Sequence, residues 1–313
     1  MFTLPLTGSV LETTAVNADG RSLSVELKLA PIETPSGPLL VCLIRDSSSR
    51  TAELAGFAAE QENLREQIQE LSLRERDLKS EMDQAATILE AHLPPRDFSM
   101  PGVQVAWRFS PCFTLGGDMV KLFGVSDSLL AFCILDVSGH GIPASLLAIS
   151  LARSLSTERA RGGILERNDG KLRQPTAILT KLNEQYQILH EGEQFVTLLY
   201  GILDKSQNRV HYVSAGPPHP LRFATGGVSQ IEGPINPPVG VLRSASFEET
   251  MVELSDGEAL FFYTDGGTET RNPSGEMFDE FRLIECVERE KSRPPSEILA
   301  SLYAELKHFR FGR

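Results

Sequence analysis

Three aspartates stand where chemistry is most easily built. Asp118 follows Gly116-Gly117. Asp136 closes the apolar run LLAFCIL and leads into Val137-Ser138-Gly139-His140-Gly141. Asp265 closes the run ALFFYT and leads into Gly266-Gly267. A carboxylate at the end of a buried strand, followed by a glycine turn, projects from a rigid element into a cleft rimmed by open backbone. Several such carboxylates brought together repel one another unless a cation joins them. A donor set made only of oxygens suits hard divalent ions such as Mg2+ or Mn2+ and not zinc. Taken singly, each is equally at home as a turn aspartate, the residue that caps and bends chains everywhere. Spacing alone does not bring the three together.

The neighbouring polar residues are weaker candidates. His140 lies inside the glycine turn, where an ordinary hydrogen-bonded histidine is as natural as a general acid. Gly139 and Gly141 serve the turn itself by supplying backbone angles that other residues resist. Ser138 as a nucleophile would need an Asp/His relay and a strand–elbow–helix setting, and the sequence around it offers neither. Glu269, just past Asp265, either orients the site or faces solvent. His211 and His219 flank a strand and a proline-rich turn and read as structural. The four cysteines (Cys42, Cys112, Cys133 and Cys286) form no Cys-x-x-Cys pair for zinc or redox work, and Cys133 reads as a small buried apolar residue.

The elements that must hold these residues differ along the chain. Over residues 1–50, SLSVELKLAPI alternates apolar and polar positions, PLLVCLIRD is a compact apolar run, and Asn17, Asp19 and Gly20 make a turn before them. This length is marginal for an independent core, so it reads as part of a domain. Residues 51–93 form a linker. Leu54, Phe57, Gln61, Leu64, Ile68, Leu71, Glu75, Leu78, Met82, Ala85 and Leu89 alternate spacings of three and four, a heptad seam with Gln61 and Glu75 as polar intruders. So narrow a stripe suits a partner helix, which predicts a homodimer through residues 54–89, the alternative being a long helix packed on its own domain. Pro94-Pro95 must stop the helix.

Residues 94–313 form the third segment. VQVAWRF alternates as a strand and LLAFCILDV reads as a buried strand. IPASLLAISLARSLSTERA and PTAILTKLNEQYQILH read as helices. FVTLLYGILD, RVHYVSAG and ALFFYTD read as further strands, and helices are expected around 278–290 and 295–308. Strands that follow one another without intervening helices favour an α+β fold.

The 313 residues suggest roughly two domains, with the 41% hydrophobic and 23% charged content of an ordinary globular protein. No apolar run approaches the ~20 residues of a membrane helix, and the first residues lack a signal peptide's pattern, which leaves the cytoplasm as the default. A formal charge of -12 argues against nucleic acid as a partner.

Taken in order, the segments resemble the SpoIIE-type branch of the PPM metal-dependent phosphatases. Leu93-Pro94-Pro95 with PGVQVAWRFSPC resembles the start of that domain, and LGGDMVKLF its first acidic motif. LDVSGHGIPASLL is close to its signature and is the most specific match. FVTLLYGILD, VSAGPPHPL, PPVGVL and FFYTDGGTETRNPSGEMF follow at the family's spacing, so the resemblance covers about residues 85–308. DGRSLSVELKLAPI and LLVCLIRDSSSR resemble, more loosely, the C-terminal half of a PAS sensory domain.

The resemblance implies an αββα sandwich with two Mn2+ or Mg2+ ions between its sheets. Asp136 would bridge the ions, the Val137 carbonyl would bind one and Asp265 the other. Asp118 would act directly or through water, and Gly139, His140 and Gly141 would support this shell without being ligands. Water held between the ions then attacks a phosphoserine or phosphothreonine, with no phosphoenzyme. The family's usual substrate is a phosphorylated STAS-domain anti-sigma-factor antagonist, which implies a bacterial partner-switching pathway with the N-terminal segment as sensor.

One part of the family pattern has no counterpart. A late Asp-Asp pair, followed by Thr and a closing strand, is missing, and no Asp follows Asp279. Both ends therefore look cut short, with a weakened metal and an exposed sheet edge as the expected consequences. An impaired, phosphatase-like binding module is the second expectation, and a sensory scaffold acting only through its coiled coil is the third.

Overall fold

The computed structural model describes residues 10–96, 98–111, 115–155, 164–165, 172–189 and 194–312. Cys112 and the expected helical residues 156–160 lie outside these. The chain divides into two compact units, residues 1–79 and 80–313.

In the first unit, β1 (Val10–Val16), β2 (Ser22–Thr34) and β3 (Gly37–Asp46) form an antiparallel meander in that order. The expected turn is held by the Asn17 side chain, whose Oδ1 accepts from the N–H groups of Asp19 at 3.0 Å and Arg21 at 2.9 Å. Helix α1 (Ser48–Glu90) follows. Asp46 Oδ1 accepts the Ser48 N–H at 2.9 Å, and Ser48 Oγ accepts the Ser24 N–H at 3.0 Å, so the helix start is stitched to β2. Its length follows from the absence of proline and the single interior glycine, Gly56. Among the described residues of this unit only Val25 is buried, while Leu54, Phe57, Leu64, Ile68, Leu71 and Leu78 lie exposed along the seam.

The seam changes role at its end. Leu89 is only 3% exposed and packs into the core of the second unit, with Leu93 against it. The last seam position therefore serves this unit's own core, which corrects the expectation of a dimer seam running as far as Leu89. The helix stops at Glu90, before Pro94, as proline chemistry requires.

The second unit continues with β4 (Met119–Gly124), β5 (Leu129–Val137), α2 (Ile142–Ser154), α3 (Pro175–Leu189), β6 (Val196–Asp204) and β7 (Arg209–Ala215). Then come β8 (Leu221–Ala224), β9 (Gly227–Gln230), β10 (Thr250–Glu253), β11 (Ala259–Phe261), α4 (Asp265–Thr268), α5 (Asp279–Glu290) and α6 (Pro295–Phe311). One antiparallel sheet has the order β10-β7-β6-β5-β4 and the other the order β11-β8-β9.

Strand periodicity sorts the side chains into layers. On β5, Ala131, Cys133, Leu135 and Val137 join a core with Leu151 of α2 and Leu182 of α3. Phe132, on the opposite face, joins Leu199 and Tyr212 between the sheets, where Phe262 meets it at a ring distance of 4.9 Å. A third core joins Leu221 and Phe223 to Leu283, Val287 and Leu302 of α5 and α6. The result is the expected α+β, αββα order: two helices, two sheets, two helices.

Two expected strands differ. VQVAWRF forms no ladder: Val103 makes an isolated bridge to Met100, and residues 104–110 have no strand partner. Alternation specifies an extended chain with one covered face, and pairing is a separate condition. Here Phe109 packs against the first core and Trp107 Nε1 donates to the Pro95 carbonyl at 3.2 Å. ALFFYTD leaves its ladder at Phe261, because its four-residue partner β8 begins at Leu221, opposite Phe261. The alternation nevertheless persists, with Phe261 and Tyr263 stacked at 5.7 Å on one side and Phe262 on the other.

Candidate functional site

Asp136 is the eighth residue of β5 and shares the parity of Phe132, which places it on the face between the sheets. Its strand partner is Thr197 on β6. Asp118 immediately precedes β4 and shares the parity of Leu122, which packs against the same inter-sheet core. From the other sheet, Phe262 holds that face and Thr264 follows two residues later, with Asp265 opening the single turn of α4. The glycines after Asp265 thus make a helical turn in which Asp265 O accepts the Glu269 N–H at 2.8 Å.

The segment before Asp118 is laid against the turn after Asp136 by backbone bonds. Val137 N donates to Gly117 O at 3.2 Å, Gly141 N donates to Leu115 O at 3.2 Å, and Gly116 bridges His140. Gly117 is needed for this approach: a Cβ there would fall 2.3 Å from the Val137 carbonyl oxygen. Ser145 of α2 locks the crossing by donating its hydroxyl to Gly116 O at 2.8 Å. Ser138 is occupied structurally, its Oγ accepting the Phe195 N–H at 2.9 Å, which agrees with its rejection as a nucleophile. Gln194 Nε2 donates to Ser138 O at 3.2 Å and steadies the same turn, in which Gly139 has φ 97 and Gly141 φ 83.

The carboxylates feel one another. Burial is the main cause pushing Asp136 up to about 7, and the charges of Asp118, Asp265 and Glu269 push in the same direction. Burial likewise pushes Asp118 up to about 6; a hydrogen bond from Thr264 opposes this and Asp265 adds to it. Asp118 Oδ1 is buried with no hydrogen-bond partner. A buried oxygen without a donor is costly, and a bound cation is the natural remedy among acidic neighbours.

Asp118, Asp136 and Asp265 therefore lie within electrostatic reach of one another at one end of the inter-sheet face, with Glu269 acting on Asp136. Among the described residues, no group of three His, Cys, Asp or Glu side chains stands close enough to enclose a single ion. His211 lies on β7, away from the aspartates in sequence, with Nδ1 3.7 Å from Glu249 and no hydrogen-bond partner among the described residues. Thr264 and Gln194 were not singled out by sequence. The only signal for Thr264 was its place directly before Asp265 at the end of an alternating run.

The comparisons with known proteins agree with the fold. The family model "Stage II sporulation protein E (SpoIIE)" matches residues 126–313. Protein IcfG of Synechocystis sp. is 28% identical over 247 residues, covering 72% of this chain and 38% of that protein. Phosphoserine phosphatase RsbP of Bacillus subtilis is 22% identical over 210 residues, covering 66% of this chain and 48% of that protein. The chain thus spans less than half the length of either relative. The SiaA-PP2C domain of Pseudomonas aeruginosa has the same fold, with a TM-score of 0.60 at 18% identity over 75% of this chain and 92% of that one. With the family model matching more than half of its length, the chain belongs to the SpoIIE family.

Proposed function

We propose that this chain is a metal-dependent protein serine/threonine phosphatase that removes phosphate from a phosphoserine or phosphothreonine on a regulatory protein. The observation that carries the reading is the meeting of Asp118, Asp136 and Asp265 between the two sheets, with burial and mutual repulsion raising the first two. The partnerless Asp118 Oδ1 and the all-oxygen donor set fit Mn2+ or Mg2+. Asp118, Asp136, Asp265 and the Val137 carbonyl are the groups that would hold two such ions, with Asp136 shared. When bound, the ions supply positive charge for the phosphoryl oxygens and acidify water.

The chain's own residues supply position. Gly117 and Ser145 fix Asp118 beside Val137. Gly139 and Gly141 shape the turn, and His140 holds its strand bridge to Gly116. Thr264 steadies Asp118 from the opposite sheet.

The printed name of RsbP, a phosphoserine phosphatase, supports phosphoserine as the substrate. A STAS-domain anti-sigma-factor antagonist is the substrate protein we infer. Residues 1–50 are read as a PAS-derived sensor, 51–93 as a coiled-coil linker and 94–313 as the phosphatase domain. The exposed seam from Leu54 to Leu78 supports a homodimer. No helix among the described residues is long and apolar enough to cross a membrane, and we place the protein in the cytoplasm.

The test is Mn2+-dependent phosphate release from a serine-phosphorylated STAS-domain protein. Asp136→Ala should lower the rate by about 10³-fold or more, the loss expected when a central electrostatic group is removed. A second reading is a binding module without turnover: among the described residues no three carboxylates stand close enough to hold one ion. It predicts partner binding with fewer than two ions taken up and no release at any Mn2+ concentration.

A further inference from the structure

Outside the aspartate site, a second polar cluster joins α6 to the extended segment before Pro111. Tyr303 and Lys307 are four residues apart on α6 and share one helical face, while Arg108 and Ser110 are two apart on extended chain and share one side. The Arg108 guanidinium lies 3.4 Å from the Tyr303 ring centroid and the Lys307 ammonium 4.7 Å from it. Ser110, Lys307 and Arg108 together favour the charged form of the Tyr303 phenol and hold it below the ordinary tyrosine range. Arg108, Ser110 and Lys307 are exposed.

Two features suit the cluster to an anion. Among the described residues the ion pairs include neither Arg108 nor Lys307, whose close contacts are with the Tyr303 ring, although the chain carries a net charge of -12. The cluster also holds far more N–H and O–H donors than the two lone pairs of a phenol can accept. A guanidinium and an ammonium beside the same ring supply the two positive charges that a doubly charged phosphoryl oxyanion takes, where a carboxylate would need only one.

We propose that Arg108, Ser110, Tyr303 and Lys307 form a surface site for a phosphoryl oxyanion, borne either by inorganic phosphate or by a phosphorylated side chain of a protein. The oxyanion takes its charge-assisted bonds from Arg108 and Lys307, with the Ser110 and Tyr303 hydroxyls completing the shell. Pro111, next to Ser110, lies 3.7 Å from the position a Cβ would take on Gly116, two residues before Asp118.

Tyr303 reports on its own site, since its three partners hold it down at about 8, below the ordinary tyrosine range. The full chain, with chelator present, is titrated by the ultraviolet absorbance of tyrosinate at matched ionic strength. The titrants are chloride, inorganic phosphate and a phosphoserine peptide with its unphosphorylated form. Tyr303→Phe identifies the early step by removing it. Phosphate is expected to move that step upward by about one pH unit, the size of one nearby charge. Arg108→Ala with Lys307→Ala is expected to abolish the response and to weaken calorimetric phosphate binding by roughly tenfold or more, whereas Tyr303→Phe keeps the binding. A shift with phosphate assigns the free ion, and a shift with the phosphopeptide alone assigns a protein-borne group. No shift beyond chloride with either, or a shift that survives the double variant, overturns the site. Circular dichroism of these exposed-site variants separates loss of binding from loss of fold.

Discussion

The two units use apolar residues in opposite ways. In residues 80–313 three separate cores are closed by their own helices and sheets. In residues 1–79 only Val25 is buried among the described residues, and Leu39, Leu40, Leu43 and Ile44 stand more than half exposed on β3. Fully burying such a side chain contributes about 1.5–3 kcal/mol, so the first unit forgoes most of the stabilisation its sequence carries. The difference teaches that the second unit closes its own cores, whereas the first leaves exposed the apolar residues that the proposed dimer would cover.

The strongest way to break this comparison is to remove the partner surface. Leu64→Asp with Leu71→Asp takes four leucines from a dimer, about 6 kcal/mol at roughly 1.5 kcal/mol each. Sedimentation should show monomer where the wild type is dimeric, and the melting of the second unit should not move. A variant that also unfolds the second unit would end the idea of two independent economies.

The next effect is confined to the second unit. Gly201 pairs with Phe132 across the sheet, and a methyl there would fall 2.4 Å from Phe132 Cζ. Gly201→Ala should destabilise by about 1–3 kcal/mol through overpacking. Phe132→Leu should relieve part of that loss, so the pair should be non-additive in thermal melts.

These contrasts also explain what sequence could reveal. β5 was read to the residue because LLAFCILDV is long and apolar on both faces, and its alternation sets Asp136 toward the second sheet. The four-residue strands β8, β9 and β10 are too short to show a period, and they were not foreseen. The meeting of Asp265 with Asp118 and Asp136 depends on one sheet stacking on another, a non-local fact that spacing does not encode. Only the resemblance of LDVSGHGIPASLL and FFYTDGGTETRNPSGEMF to one family carried that information. VQVAWRF shows the converse, a correct alternation with no strand to pair with.

A smaller effect belongs to the aspartate site. Without divalent cation, Asp118 and Asp136 hold protons up to about 6 and about 7, whereas both return to 3.8 on unfolding. Between those values the folded state binds more protons, so stability falls as pH rises and the loss is complete above about 7. Asp136→Asn removes most of this penalty. Its metal-free melting temperature should exceed that of the wild type at pH 8, at about 2–4 °C per kcal/mol relieved, and converge with it near pH 4. Added Mn2+ should reverse the order at pH 8, because only the wild type keeps the carboxylate proposed to hold the ions.

The smallest effect sharpens the comparison by placing one substitution in both units. Gly56 lies inside α1 with nothing within 4 Å of the position a Cβ would take. Counted from Leu54 and Phe57 on the seam, it occupies an outward position, so pairing of two helices leaves that space open. Alanine loses less conformational freedom than glycine in a helix interior, so Gly56→Ala should stabilise the helix by about 0.5–1 kcal/mol. The same change that overpacks the second unit at Gly201 thus strengthens the first. The readout is the helical circular-dichroism melt at fixed protein concentration. A lower midpoint would mean that residue 56 is packed against a neighbour, and the seam would then have to be redrawn around a different face of α1.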